Sequence, residues 1–131
     1  MKKNIFIIIG IIAVVTIGIF LFRGSEDNWI KDSRGVYVKH GNPSKIPNKV
    51  ADQQLLISRA GDLYKTAKQN NTKLDNGPCL GAIDNGWVAD IVHNPRTDVD
   101  NKSENQCDAK KWGNAKHFIE LDLNGEVVRV K

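Results

Sequence analysis

Hydrophobic and polar positions divide the chain into one apolar block and a longer region of mixed pattern. Residues 5–22 carry no charged side chain, and only Gly10, Thr16 and Gly18 interrupt their large apolar residues and alanine. A helix of 18 residues is about 27 Å long, close to the ~30 Å hydrocarbon core of a bilayer. The block, Ile5 to Phe22, therefore predicts a transmembrane helix that contacts the lipid bilayer.

A cleaved secretory signal is the alternative interpretation of this block. Bulky or charged residues, Phe20, Phe22 and Arg23 among them, stand where a signal peptidase needs small ones. The sequence therefore favours an uncleaved signal-anchor over residues 1–23. Basic residues on its two sides do not decide the orientation by themselves. A short N-terminus is seldom exported, so we expect a cytoplasmic N-terminus and an extracytoplasmic C-terminal domain on a single-pass membrane protein.

The rest of the chain alternates between helix and strand patterns. Apolar residues recur at helical spacing between Pro47 and Asn70, which predicts one amphipathic helix. Two Asn-Gly pairs, Asn85-Gly86 and Asn124-Gly125, each lie between short segments of strand composition and predict two β-hairpins. Residues 34–39 alternate around Val36 and Val38, which predicts a further short strand.

These elements predict an α+β fold. We expect the amphipathic helix to pack on an antiparallel sheet built from the two hairpins, in a domain that covers residues 34–131. Residues 24–33 are polar and predict a juxtamembrane linker between the anchor and this domain.

The chain has two cysteines, Cys79 and Cys107, both in the predicted domain. A single pair in a small domain predicts a disulfide, which persists outside the cytosol. Two free thiols in a cytosolic domain are the alternative. Neither cysteine belongs to a C-x-x-C pair, so the spacing does not indicate a metal site.

The net charge of +4 comes largely from the ends of the apolar block. Setting aside Lys2, Lys3 and Arg23 leaves 16 basic and 15 acidic residues. No dense basic cluster remains to follow a phosphate backbone. We therefore expect no nucleic-acid partner.

Three side chains are the candidates for general acid–base chemistry: His93, Arg96 and His117. Two imidazoles can act as base and acid in cleaving a phosphodiester, while a guanidinium stabilises the developing charge. No sequence spacing brings these residues together, so only the fold can. The alternative is that each histidine is hydrogen-bonded locally at a strand end.

An acidic segment, Asp98 to Glu104, is the candidate for a metal site. It lacks the glycine of a calcium-binding EF-hand loop, and Lys102 occupies a ligand position. His93 and the residues around Cys107 suggest an HNH-type nuclease, but the spacing is wrong and cysteine pairs are missing. A solvated loop is the better interpretation, and we expect no metal and no cofactor.

Recognition without chemistry is the third possibility. Trp87, Trp112 and Tyr37 could contribute to a contact surface for an envelope protein or polymer, with Trp112 the best candidate for an exposed binding ring. Core packing is the alternative for Trp87. Without a complete catalytic motif, we expect a binding or structural module of the cell envelope. An extracytoplasmic hydrolase or nuclease that uses His93, Arg96 and His117 is the alternative.

Two resemblances bear on these expectations. Residues 28–44, NWIKDSRGVYVKHGNPS, resemble a D-W-I-C…G-x-W-V-K-H-G-N-P segment of small, membrane-anchored, uncharacterised bacterial proteins; Lys31 replaces their cysteine and Tyr37 their tryptophan. The resemblance implies an extracytoplasmic bacterial setting and no activity. The architecture is also similar to type IV pilins, and a pilin-like subunit is a further alternative. Residues 5–22 lack the glutamate of that family. The oligomeric state stays open.

Overall fold

The structure is a computed structural model that describes residues 2–23, 27–108, 110–112 and 114–131, and within the first helix the side chains of residues 6–19. Gly24 to Glu26, part of the predicted linker, lie outside the described residues. The chain divides into two compact units. The first comprises Met1–Ile30 and Val38–Ile46, and the second comprises Lys31–Tyr37 and Pro47–Lys131.

The apolar block forms helix α1, Lys2–Arg23. Its described large apolar side chains are exposed, with Phe6 73% and Val14 71% accessible. Judged on the residues that the structure describes, none of the helices combines the length and the hydropathy that a membrane crossing requires. The helix is confirmed, and its place in a bilayer stays a prediction.

A two-stranded sheet follows, formed by β1, Asn28–Lys31, and β2, Tyr37–His40. Strand β1 lies in the segment predicted to be a linker. It forms there because Trp29 is a buried anchor, 9% exposed, whose indole Nε1 donates a hydrogen bond to the Lys45 carbonyl at 3.0 Å. The strand predicted over residues 34–39 begins only at Tyr37. The residues just before Tyr37 form a turn instead, because the Asp32 side chain accepts hydrogen bonds from the backbone N–H groups of Arg34 and Val36.

Helix α2, Asn48–Gln69, confirms the predicted amphipathic helix. Its buried side chains include Ala60, Tyr64 and Ala67. The Tyr64 hydroxyl donates a hydrogen bond to the Leu123 carbonyl at 3.0 Å, and its ring lies against Gly125. Gly125 has a φ of +85°, and a Cβ there would stand 2.6 Å from the ring, so this turn needs glycine for both reasons.

The second unit also contains a four-stranded sheet in the order β3-β4-β5-β6. The two hairpins of this sheet, β3–β4 and β5–β6, are confirmed as antiparallel pairs. The bounds of the four strands are Cys79–Asp84, Trp87–Ile91, His117–Leu121 and Val127–Val130.

The prediction of a wholly antiparallel sheet is wrong, because β4 and β5 pair in parallel. A parallel pair needs a crossover of a dozen or more residues between its strands. Residues 92–116 provide it, and they contain a short 3₁₀ helix, Asp98–Asn101. The parallel register sets Ala89 beside Ile119 and Ile91 beside Leu121, and these four side chains form the core with α2.

The predicted disulfide, Cys79–Cys107, is confirmed. It joins the first residue of β3 to the crossover that leads into β5, across a sequence separation of 28 residues. The crossover has little regular structure of its own. The disulfide therefore reduces the freedom that this segment has in the unfolded chain.

We expect the double variant Cys79→Ala/Cys107→Ala to lose about 3–4 kcal/mol of unfolding free energy, because the unfolded chain regains the entropy of an open loop. Urea unfolding of the full chain in detergent, followed by tryptophan fluorescence, measures the change. A reductant should lower the midpoint of the wild-type chain and leave that of the variant unchanged. Equal midpoints for the oxidised wild-type chain and the variant would contradict the prediction.

Candidate functional site

A cleft of 340 Å³ lies in the second unit. Successive side chains of a strand point to opposite faces of a sheet. Ala89, Ile91, Ile119 and Leu121 face the core with α2, so Val88, Asp90, Phe118 and Glu120 face the other way. The cleft is on this second face, lined by Val88, Asp90, Arg96, Gln106, Cys107, Ala115, Lys116, His117, Phe118, Glu120 and Arg129. We call it the carboxylate cleft.

Glu120 is a buried carboxylate that accepts three hydrogen bonds in the carboxylate cleft. It is 5% exposed, and Arg96 Nη1 donates to its Oε1 at 2.6 Å. Arg129 donates Nε to Oε2 and Nη2 to Oε1, both at 2.8 Å. This hydrogen-bonded pairing raises the pKa of Arg129. The two guanidinium groups compensate the burial of the Glu120 carboxylate and hold it in one orientation.

Asp90 lies beside Glu120 in the parallel register of β4 and β5. It is 9% exposed, and its Oδ1 has no hydrogen-bond partner among the residues that the structure describes. Burial, and then the nearby charge of Glu120, raise the pKa of Asp90 to about 7 against the opposing effect of Arg96. A carboxyl group with this pKa gives up or takes a proton close to neutral pH.

Of the three predicted catalytic residues, the structure brings two to the carboxylate cleft. Arg96 and His117 line it. The His117 ring stacks on Trp87, with ring centroids 4.7 Å apart and planes inclined by 25°. Arg96 is fixed by Glu120 and by Asn101, whose Oδ1 accepts from Nε at 3.1 Å.

His93 is not among the described residues that line the cleft. Its Nδ1 lies 2.8 Å from Oδ1 of Asp100, which also accepts a hydrogen bond from the His93 backbone N–H. Thr97 donates its backbone N–H and its hydroxyl to the other oxygen, at 2.7 and 3.1 Å. Burial opposes ionisation of Asp100, but these hydrogen bonds outweigh it and lower the pKa of Asp100 to about 2. His93 thus belongs to a structural cluster that shapes the crossover.

Trp112, the predicted binding ring, is half-buried. Its ring packs on Gly81 of β3, where a Cβ would come within 3.2 Å of it. Lys111 lies over the ring, with its Nζ 5.2 Å from the ring centroid. Tyr37, another of the three possible contact rings, lies under Lys31 and Lys49. Packing therefore occupies part of each ring that the sequence offered as a contact surface.

Asp90, Glu120 and Arg129 were not among the site residues predicted from the sequence. A signal for two of them was present, since Asp90 and Glu120 each stand between apolar residues near the end of a short strand. A carboxylate in such a position is costly unless it is paired, which marks it as a functional candidate.

Within the part of the chain that the structure describes, no group of three or more histidine, cysteine, aspartate or glutamate side chains is placed to hold a metal ion. Comparison with known proteins finds no matching protein family, no matching curated protein and no matching solved structure. The resemblances noted in the sequence therefore stay predictions.

We expect Asp90 to make the chain less stable as the pH rises. Its pKa is about 7 in the folded state against an ordinary 3.8, so only the unfolded chain releases this proton between those values. The stabilisation is complete below pH ~3.8 and is lost as the pH rises through ~7. Relative to Asp90→Asn, the wild-type unfolding free energy should fall by up to about 1.4 kcal/mol per pH unit in this window.

Urea unfolding of both full chains between pH 4 and 8 measures this difference. The exposed Glu104→Gln variant is the matched control, since it also removes one carboxyl group. Its unfolding free energy should follow that of the wild-type chain across this pH range. A difference between wild type and Asp90→Asn that does not vary with pH would show that the Asp90 carboxyl titrates normally.

Proposed function

We propose that this chain is a membrane-anchored module of the bacterial cell envelope whose extracytoplasmic domain binds another envelope component through the carboxylate cleft. The observation that carries the proposal is Asp90. It is a nearly buried carboxyl group that lines the cleft and leaves one oxygen without a partner among the described residues. Buried polar groups are normally hydrogen-bonded, and an exception in a cleft indicates a place for a ligand.

Binding fits the arrangement of the cleft better than catalysis does. Glu120 is held by both Arg96 and Arg129, so its side chain has little freedom to move toward a substrate. His93 hydrogen-bonds to Asp100 in a separate cluster. A rigid, partly charged cleft of 340 Å³ is near the small end of ligand sites, and suits one chemical group of a larger component.

The anchor and the location are supported by the sequence and by the cysteines. Residues 5–22 have the length and composition of a single membrane-spanning segment. The Cys79–Cys107 disulfide suits an oxidising compartment, which agrees with an extracytoplasmic domain. These are the two reasons for assigning the module to the cell envelope.

A hydrolase is the second candidate, and one observation favours it. Asp90, with a pKa raised to about 7 by burial and by Glu120, stands in the same cleft as Arg96 and His117. That set differs from the predicted one in replacing His93 by Asp90. It would supply a proton donor and a cation to a polar substrate, and turnover that disappears in Asp90→Asn would distinguish it from binding.

We expect a photo-reactive amino acid in place of Gln106, which lines the carboxylate cleft, to cross-link to an envelope component in living cells. Adding Ala115→Trp to the same chain should suppress the adduct, because the larger ring fills the cleft. The matched control carries the photo-reactive group in place of Lys65, an exposed residue of α2 outside the cleft lining. The proposal fails if Gln106 gives no adduct, or if Ala115→Trp leaves the adduct unchanged.

We expect the full chain to remain with membranes after alkaline carbonate extraction. The variant Ile11→Lys/Val14→Lys should be released, since each lysine near the centre of a spanning helix costs about 2.5–3.5 kcal/mol of insertion free energy. Ile46→Lys/Leu55→Lys is the control, because it adds the same charges at exposed apolar positions outside the block. A wild-type chain in the soluble fraction would refute the anchor.

A further inference from the structure

The charges around Asp90 are unbalanced. Glu120 faces it from β5, Arg129 is Glu120's partner on β6, and Arg96 and Asp100 belong to the crossover. Asp100 hydrogen-bonds to His93 in a separate cluster and is not one of the described residues that line the cleft. The cleft itself then contains three cationic side chains and, besides Asp90, one carboxylate: Arg96, Lys116, Arg129 and Glu120. An excess of positive charge in a half-enclosed site favours an anionic ligand.

Some of these cations still have donors to offer. The Arg96 guanidinium donates to Glu120, to Asn101 and to the Asp100 carbonyl. Arg129 uses Nε and Nη2 for Glu120, and its Nη1 makes no hydrogen bond to any described residue. Lys116 is exposed and forms no ion pair within the described part of the chain. Arg129 and Lys116 can therefore bind a further anion without giving up existing bonds.

Asp90 adds a hydrogen-bond donor to the cleft when its carboxyl group is protonated. A protonated carboxyl group donates a hydrogen bond to an anionic oxygen, whereas an ionised one repels it. Burial next to Glu120 favours the protonated form. An anion that enters the cleft adds another negative charge beside Asp90 and favours that form further.

We propose that the carboxylate cleft binds an oxyanion group, a carboxylate or a phosphate, which Lys116 and Arg129 hold by charge and to which the protonated Asp90 carboxyl donates a hydrogen bond. This inference rests on the proposed function, because it names the group that the envelope component presents. Asp90 must carry its proton for binding, so the bound state takes up a proton whenever the free site has lost it.

The test is an NMR titration of the isotope-labelled full chain in detergent micelles, with glucuronate, glucose and inorganic phosphate as probes. Glucuronate carries a carboxylate at the position where glucose carries a hydroxymethyl group. We expect glucuronate, phosphate or both to shift the backbone amide signals of the cleft, and glucose to leave them in place. Glucuronate and phosphate distinguish the two sources of the oxyanion.

For the oxyanion that binds, the dissociation constant should be about tenfold larger at pH 8 than at pH 6, because Asp90 loses its proton across that interval. Glucuronate is the cleaner probe, since its own carboxylate stays ionised throughout. Asp90→Asn should bind with almost the same constant at both pH values. His117→Gln should keep the pH dependence, which excludes the imidazole as its source.

The exposed Lys116→Gln variant should weaken oxyanion binding severalfold, while Lys102→Gln, an exposed lysine of the same crossover outside the cleft lining, should not. Equal binding of glucose and glucuronate, or a pH dependence that survives in Asp90→Asn, would overturn the inference. If no probe shifts the cleft signals while Gln106 still cross-links in cells, the inference fails and the proposed function stands. If both experiments fail, so does the proposed function.

Discussion

Parallel pairing of β4 with β5 brings Asp90 level with Glu120 and turns both side chains to the face of the sheet opposite α2. The adjacent β5–β6 pair sets Arg129 beside Glu120 in the same way. The crossover that parallel pairing requires then delivers Arg96 to the same face. The parallel register of β4 and β5 thus places the acidic residues of the carboxylate cleft on one face of the sheet. The residues that alternate with them along the two strands form the core with α2 on the other face.

The energetics of the carboxylate cleft follow from placing two acids side by side in a half-enclosed site. Two guanidinium groups compensate Glu120, and they make its charge acceptable at 5% exposure. No comparable partner reaches Asp90 among the described residues, so the neutral form of this group is favoured instead. An uncompensated buried carboxyl group does not stabilise a fold, which is why we assign a binding role to Asp90.

Local sequence signals predicted the local elements well. Pro47 and the apolar spacing after it located α2, and the two Asn-Gly pairs located both hairpin turns. The direction of β5 relative to β4 could not be predicted. A strand carries no mark of which neighbour it will join, and a polar crossover of this length allows either arrangement. Strand β1 was missed because one large ring, Trp29, in a polar segment gives no periodicity.

The candidate site was predicted only in part for the same reason. Arg96 and His117 meet in the cleft, and His93 does not, because Asp100 and Thr97 bind its ring within the crossover. Residue types alone gave His93, Arg96 and His117 as candidates, whereas only the parallel register brings Asp90 and Glu120 side by side. The disulfide was predictable because two cysteines permit only one intramolecular pairing.

Burial, together with the neighbouring charge of Glu120, keeps the Asp90 carboxyl group close to half-protonated at neutral pH, and the carboxylate cleft depends on this state. Carbon-13 NMR of the full chain, with the aspartate carboxyl signals assigned by comparison with Asp90→Asn, measures its titration directly. We expect an apparent pKa of about 7 for Asp90. A value near the ordinary 3.8 would contradict it, and with it the case for the carboxylate cleft as the functional site.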